Sequence, residues 1–152
     1  SWIRKFLINT VMNLIPIDRK INGVRDFSIK DTLTLCQSFM NYNKRCLIFF
    51  PEGTRGKPGK ISKFKKGAST FAINLNKPIL PAVIFGSHKA WPKDKIFMKP
   101  SKIVIYILEP LYPKSFLKNE NPSSSEQMEA INEMTLKLEQ EIKKKASFLY
   151  EQ

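Results

Sequence analysis

Four short apolar segments, each closed by turn or helix-breaking residues, limit what this chain can build: 13–17, 46–50, 79–85 and 102–108. Their length and Ile/Leu/Val/Phe content predict buried strands. The longest apolar runs, 79–85 and 103–108, fall far short of the ~20 residues a bilayer span needs, so no transmembrane helix is expected. Helical periodicity fills the intervals. Phe27, Ile29, Leu33, Cys36, Phe39 and Met40 fall mostly on one helical face, with Asp26 or Ser28 available as N-cap. Residues 67–75 form a short apolar pattern closed by Asn76 and then Lys77-Pro78, which cannot continue it. Residues 2–12 predict one more helix, with Trp2 and Phe6 near one stripe. Strands alternating with helices give an α/β class: a mixed, largely parallel sheet flanked by helices.

A Pro/Ser stretch at 119–125 then sets off a C-terminal amphipathic helix over 126–152. Ser123-x-x-Glu126 is a capping box for it. Met128, Ile131, Met134 (or Thr135), Leu138, Ile142 and Leu149 supply one apolar stripe, expected to pack on the body of residues 1–118.

Composition excludes several classes. The chain has 152 residues, the size of one ordinary domain, and 42% hydrophobic with 26% charged residues argues against disorder throughout. One histidine, His88, and two cysteines, Cys36 and Cys46, leave no zinc finger, two-histidine metal site or disulfide framework. Both cysteines are expected in the core, on a helix face and at a strand start. The chain opens at Ser1 without an initiator Met or a signal-peptide pattern, and it reads as a piece of something longer.

The net charge of +13 is unevenly spread. Residues 1–108 hold 20 basic and 5 acidic side chains, whereas 109–152 hold 6 and 8. The excess peaks at Lys44, Arg45, Arg55, Lys57, Lys60, Lys63, Lys65 and Lys66, against Glu52 alone. A solvated lysine-rich face is one reading; an anionic partner is the other. Candidate anions are phosphate groups, a membrane surface and an acidic carrier protein. Nucleic acid is disfavoured, because Phe64 alone interrupts the run 55–66 and base stacking wants interleaved aromatics.

Two arginines stand just past predicted strands: Arg19 after 13–17, and Arg55 in Pro51-Glu-Gly-Thr-Arg-Gly56 after 46–50. In open α/β sheets the carboxyl ends of strands line the ligand crevice. Two guanidinium forks converging there suit a phosphate or carboxylate. Gly53 and Gly56 let the loop turn tightly and bring backbone N–H groups toward an anion. Glu52 would repel that anion if it faced it, so it is expected to accept hydrogen bonds from the loop or hold an arginine.

Together these residues resemble a known family. Phe49-Phe-Pro-Glu-Gly-Thr-Arg55 resembles the third conserved block of the glycerolipid acyltransferases, whose best-known members are the 1-acylglycerol-3-phosphate (lysophosphatidate) acyltransferases. Gly56 replaces that block's usual final Ser. Leu14-Ile-Pro-Ile-Asp-Arg19 resembles the second block, Ile79-Leu-Pro-Ala-Val-Ile84 the fourth, with Pro81 at its centre, and Phe64-Lys-Lys-Gly-Ala68 the usual continuation after the third. Order and spacing agree from about Trp2 to Pro110.

The resemblance implies transfer of a fatty acyl group from acyl carrier protein or acyl-CoA to the free hydroxyl of a lysophosphatidate-like lipid. It implies no cofactor beyond that acyl donor and no metal, and a place on the cytoplasmic face of an anionic membrane in phospholipid synthesis. The substrate phosphate falls to Arg19 and Arg55, with Glu52, Gly53 and Thr54 shaping the loop. The family's proton chemistry belongs to a His-x-x-x-x-Asp block, and this sequence has none. His88 and Asp94 are separated by five residues rather than four, lie after the fourth block and enclose Pro92. No catalytic residue is therefore assigned within the chain, and 1–118 reads as an acyltransferase domain without its first block. The competing readings are a non-catalytic membrane-surface or lipid-binding module and, second, a basic nucleic-acid-binding domain.

Overall fold

The computed structural model describes residues 29–42, 45–54, 56, 60–92 and 95–150. The predicted helix 2–12, the predicted strand 13–17 and the capping residues Asp26 and Ser28 lie outside them. Two compact units divide the chain, Ser1–Ile48 and Phe49–Gln152.

In the first unit, α1 (Ile29–Asn41) follows the predicted apolar periodicity. Cys36 is buried, and Leu33, Phe39 and Met40 are half-buried beside it on the same face. Ile29, expected on that face, is half-exposed in the first turn. Arg45 places its guanidinium 4.8 Å from the Phe39 ring centroid and 5.1 Å from that of Tyr42, an arrangement the ring quadrupoles favour.

Segment 46–50 is the first departure from expectation. No strand is assigned to it; Cys46, Ile48 and Phe50 are exposed and Leu47 and Phe49 half-buried. The period-two alternation of an extended chain is present without a ladder. Cys46 is accordingly a surface thiol and not a core residue.

The second unit contains α2 (Gly67–Leu75), β1 (Ala82–Phe85), α3 (Ser87–Ala90), β2 (Val104–Ile107), a 3-10 turn (Pro113–Ser115) and α4 (Ser124–Tyr150). Helix α2 ends where the sequence predicts. Asn76 takes the left-handed conformation (φ 48°) and its N–H reaches the Ala72 and Ile73 carbonyls, the usual αL closure. Helix α4 begins two residues ahead of the expected 126. Its capping box is formed in both directions: Ser123 N–H donates to Glu126 Oε2 at 2.7 Å, and Glu126 N–H to Ser123 Oγ at 3.3 Å. Asn119 also donates to Glu126 Oε1 at 2.6 Å, so the polar stretch before α4 is tied to its first turn.

The β1–β2 pair is antiparallel, with Ala82 opposite Ile107 and Phe85 opposite Val104. An isolated bridge between Ile79 and Leu111 extends the pairing. Among the described residues this is the whole sheet, the antiparallel part of the mixed sheet expected. One face meets α4 through Val83 and Tyr106. The other leaves Ile84, Ile105 and Ile107 between 45% and 60% exposed. Apolar residues on both faces predicted burial on both; the described structure covers one.

Helix α4 is the spine of the unit. Ile131 and Met134 pack with Ala72 and Ile73 of α2; Leu138 packs with Phe64 and Ala68; Ala146 and Leu149 pack with Val83. The predicted stripe holds except at Met128, which is 52% exposed, while Ala130, one turn from Met134, takes the inward position at 1%. Thr135 is buried together with Met134. Its hydroxyl lies 2.8 Å from Ser69 Oγ and 2.7 Å from the Ile131 carbonyl. With a single proton, Thr135 donates to that carbonyl and accepts from Ser69. No helix among the described residues is long and apolar enough to cross a membrane.

Candidate functional site

The glycine-containing basic loop begins in a tight turn. Gly53 N–H donates to the Phe50 carbonyl at 2.9 Å, with Pro51 at the position where a fixed φ suits a turn. Glu52 has no positive φ, whereas Gly53 sits at φ 71°, which favours glycine there. Lys65 lies over the face of Gly53 that a side chain would occupy: a Cβ there would stand 2.7 Å from Lys65 Nζ.

The returning limb of the loop is fastened at three backbone amides. Ser62 N–H donates to Glu52 Oε2 at 2.9 Å, Phe64 N–H to Glu139 Oε2 at 2.8 Å, and Lys65 N–H to the Pro51 carbonyl at 2.9 Å. Glu52 is thus turned into its own loop, and a Cβ on Gly56 would stand 3.3 Å from its Oε2. Thr54 is exposed. Apolar anchors complete the mounting: Phe64 is buried against Ala68 and Leu138, with Phe49 and Ile61 half-buried in the same cluster. The Phe49 and Phe71 rings meet at 5.2 Å between centroids.

Helix α2 starts immediately after this loop. Lys66 stands at its N-cap without a side-chain cap, and its first turn contains no acid. Lys63, Lys65 and Lys66 are exposed just ahead of the helix. Cations at a helix N-terminus oppose its macrodipole, so the free protein gains nothing from this placement. An anion would be favoured there by the lysines and by the helix end together.

Arg19 and Arg55 lie outside the described residues, so of the predicted phosphate-binding set the structure places Glu52, Gly53 and Thr54. Pro81 is buried directly before β1, where its carbonyl accepts Leu108 N–H at 2.9 Å. Its place is in the ladder, as acceptor only. His88 is half-buried on α3; Asp94 lies outside the described residues.

Glu139 escaped the sequence reading. Lys143, whose Nζ stands 2.6 Å from Glu139 Oε1, and then the Phe64 amide hold its carboxyl below the usual carboxylate range. At i,i+4 from Lys143 it reads as an ordinary surface ion pair. The only hint of more is its place beside Leu138 on the edge of the apolar stripe.

Comparison with known proteins identifies the family. A family model described as Acyltransferase matches residues 2–85. A 1-acyl-sn-glycerol-3-phosphate acyltransferase of Cocos nucifera is 42% identical over 65 residues, covering 43% of this chain and 21% of that protein. One from Limnanthes douglasii is 32% identical over 102 residues, covering 67% of this chain and 35% of that protein. The chain therefore spans about a fifth to a third of the length of these relatives. Among solved structures, the 1-acyl-sn-glycerophosphate acyltransferase PlsC from Thermotoga maritima superposes with a TM-score of 0.60 at 27% identity, over 86% of this chain and 46% of that one.

Proposed function

The chain belongs to the acyltransferase family, and from that membership we propose that this protein acylates the free hydroxyl of 1-acyl-sn-glycerol-3-phosphate. The observation carrying the proposal is the basic loop. Its Pro51–Gly53 turn is locked by backbone hydrogen bonds, Glu52 is turned inward, and Lys63, Lys65 and Lys66 stand before the uncapped start of α2. That arrangement suits a phosphate monoester, which needs concentrated positive charge and several N–H donors.

The acceptor hydroxyl attacks the thioester carbonyl of acyl-CoA or acylated carrier protein, and the thiol leaves with the proton. One ester-type bond replaces another without change of oxidation state, so the reaction calls for no cofactor beyond the acyl donor. Arg19 and Arg55 take the acceptor's phosphate through their guanidinium forks. The family's His-x-x-x-x-Asp pair is not in these 152 residues, so their part is on the acceptor side and not in moving the proton. A lipid acceptor calls for a membrane surface, and donors soluble in the cytoplasm favour its cytoplasmic face, in phospholipid synthesis.

The test is an acyl-transfer assay on the full-length protein with labelled acyl-CoA and acylated carrier protein as alternative donors. Lysophosphatidate is expected to be acylated far faster than lysophosphatidylcholine, whose phosphate is esterified and partnered by its own cation. Equal rates, or no turnover of lysophosphatidate with either donor, would overturn the proposal.

A further inference from the structure

The segment between β1 and β2 holds the two most exposed large apolar side chains among the described residues, Ile96 at 85% and Phe97 at 82%, followed in sequence by Met98 at 71%. The loop's backbone is fastened. Gly86, at φ 88°, passes so close to the Lys102 carbonyl that a Cβ would collide with it. Lys99 N–H donates to the Ala90 carbonyl at 2.8 Å, and Lys95 N–H to that of Pro92 at 3.1 Å. The Trp91 indole N–H donates to the Lys95 carbonyl at 2.9 Å. These bonds hold the backbone on either side of Ile96, Phe97 and Met98, whose side chains stay exposed.

Lysines flank these apolar residues in sequence. Lys89, Lys95, Lys99 and Lys102 are all exposed, and the sequence 89–102 contains five lysines and a single acid, Asp94. Holding three consecutive apolar side chains in water is unfavourable, and such a patch marks an interaction surface. The segment thus combines three exposed apolar side chains with exposed lysines before and after them. Apolar side chains that reach past the headgroups while lysines meet lipid phosphates match that layout.

We propose that Ile96, Phe97 and Met98 insert into an anionic bilayer, with Lys89, Lys95 and Lys99 seated on its headgroups. The proposal rests on the lipid-acceptor reading above for its purpose, since an enzyme drawing its acceptor from a membrane must dock on one.

The test uses the intact protein with mixed phosphatidylglycerol–phosphatidylcholine vesicles and with pure phosphatidylcholine vesicles. The triple variant Ile96→Ser/Phe97→Ser/Met98→Ser should lower the partition coefficient onto mixed vesicles by about tenfold or more. It should leave acylation of detergent-dispersed lysophosphatidate unchanged. Lys95→Gln/Lys99→Gln should weaken binding to mixed vesicles and not to pure phosphatidylcholine. Phe97→Trp keeps an aromatic at that position, and its added emission should be quenched by lipids brominated in the acyl chains. Unaltered partitioning of the triple variant, or no added quenching in Phe97→Trp, overturns the proposal, including in favour of an acidic protein as the occupant. Absence of acyl transfer by the parent protein would instead strike the functional reading, while the vesicle measurements still decide the loop.

Discussion

Glu139 Oε2 accepts the backbone N–H of Phe64 at 2.8 Å across 75 positions of sequence. The bond joins the middle of the C-terminal helix to the returning limb of the basic loop, one residue from Lys63 and one from Lys65. Buried Phe64 packs on Leu138 in the same place. Apolar contact and hydrogen bond together hold the loop's exit, and α2 starts from that exit.

Replacing Glu139 by Ala should cost about 1–2 kcal/mol of stability, because the Phe64 amide is part-buried and loses its acceptor. Glu139→Gln keeps an acceptor oxygen and should cost less. Denaturant melts of the three proteins check both. Because the folded carboxyl is held low by Lys143 and the Phe64 amide, its stabilising contribution is complete above the usual carboxylate range. It is lost as pH falls through the depressed folded value. The stability gap between the parent and Glu139→Gln should therefore be constant at neutral pH and shrink on acidification; a gap that widens in acid would contradict the sign.

Gly53→Ala should destabilise by about 1–2 kcal/mol, since φ 71° is costly for a residue with a Cβ. The new Cβ also displaces the Lys65 side chain from the turn. Gly53→Asn should cost less than Gly53→Ala, because Asn visits the left-handed region more readily. Equal midpoints for the two variants in urea would show that the left-handed turn is not the constraint.

For the phosphate role, Arg55→Lys preserves charge and removes the planar fork, so the KM for lysophosphatidate should rise much more than the KM for the acyl donor. Arg19→Ala should behave alike. Equal shifts for acceptor and donor, in a variant with unchanged thermal unfolding, would assign the arginines elsewhere.

The Ser69–Thr135 pair offers a cycle with a clear sign. Thr135→Val leaves the Ser69 hydroxyl buried at 1% exposure without its partner and should cost about 1–3 kcal/mol. Adding Ser69→Ala removes the orphaned group and should recover part of that loss. Additive costs in the double variant would mean that the two hydroxyls do not act as a pair.

Local chemistry was legible from residue order alone. The limits of α2 follow from an apolar run meeting Asn76 and Lys77-Pro78. The start of α4 follows from Ser123 and Glu126, which need only each other to form a capping box. The third-block motif was legible too, because Pro51, Gly53 and the surrounding basic residues are unusual in combination. Such features depend on neighbours a few positions apart, which order alone places together. Tertiary structure decided the rest. Whether Ile84 and Ile105 are covered, whether Cys46 lies in a core, and which carboxylate meets Phe64 all depend on segments distant in sequence. Apolar composition marks a strand without saying which faces find a partner, so burial of both sheet faces was overestimated. Glu139 carries the same signature as any i,i+4 surface acid, and only the packing of Leu138 on Phe64 brings its carboxylate to a backbone amide 75 positions away.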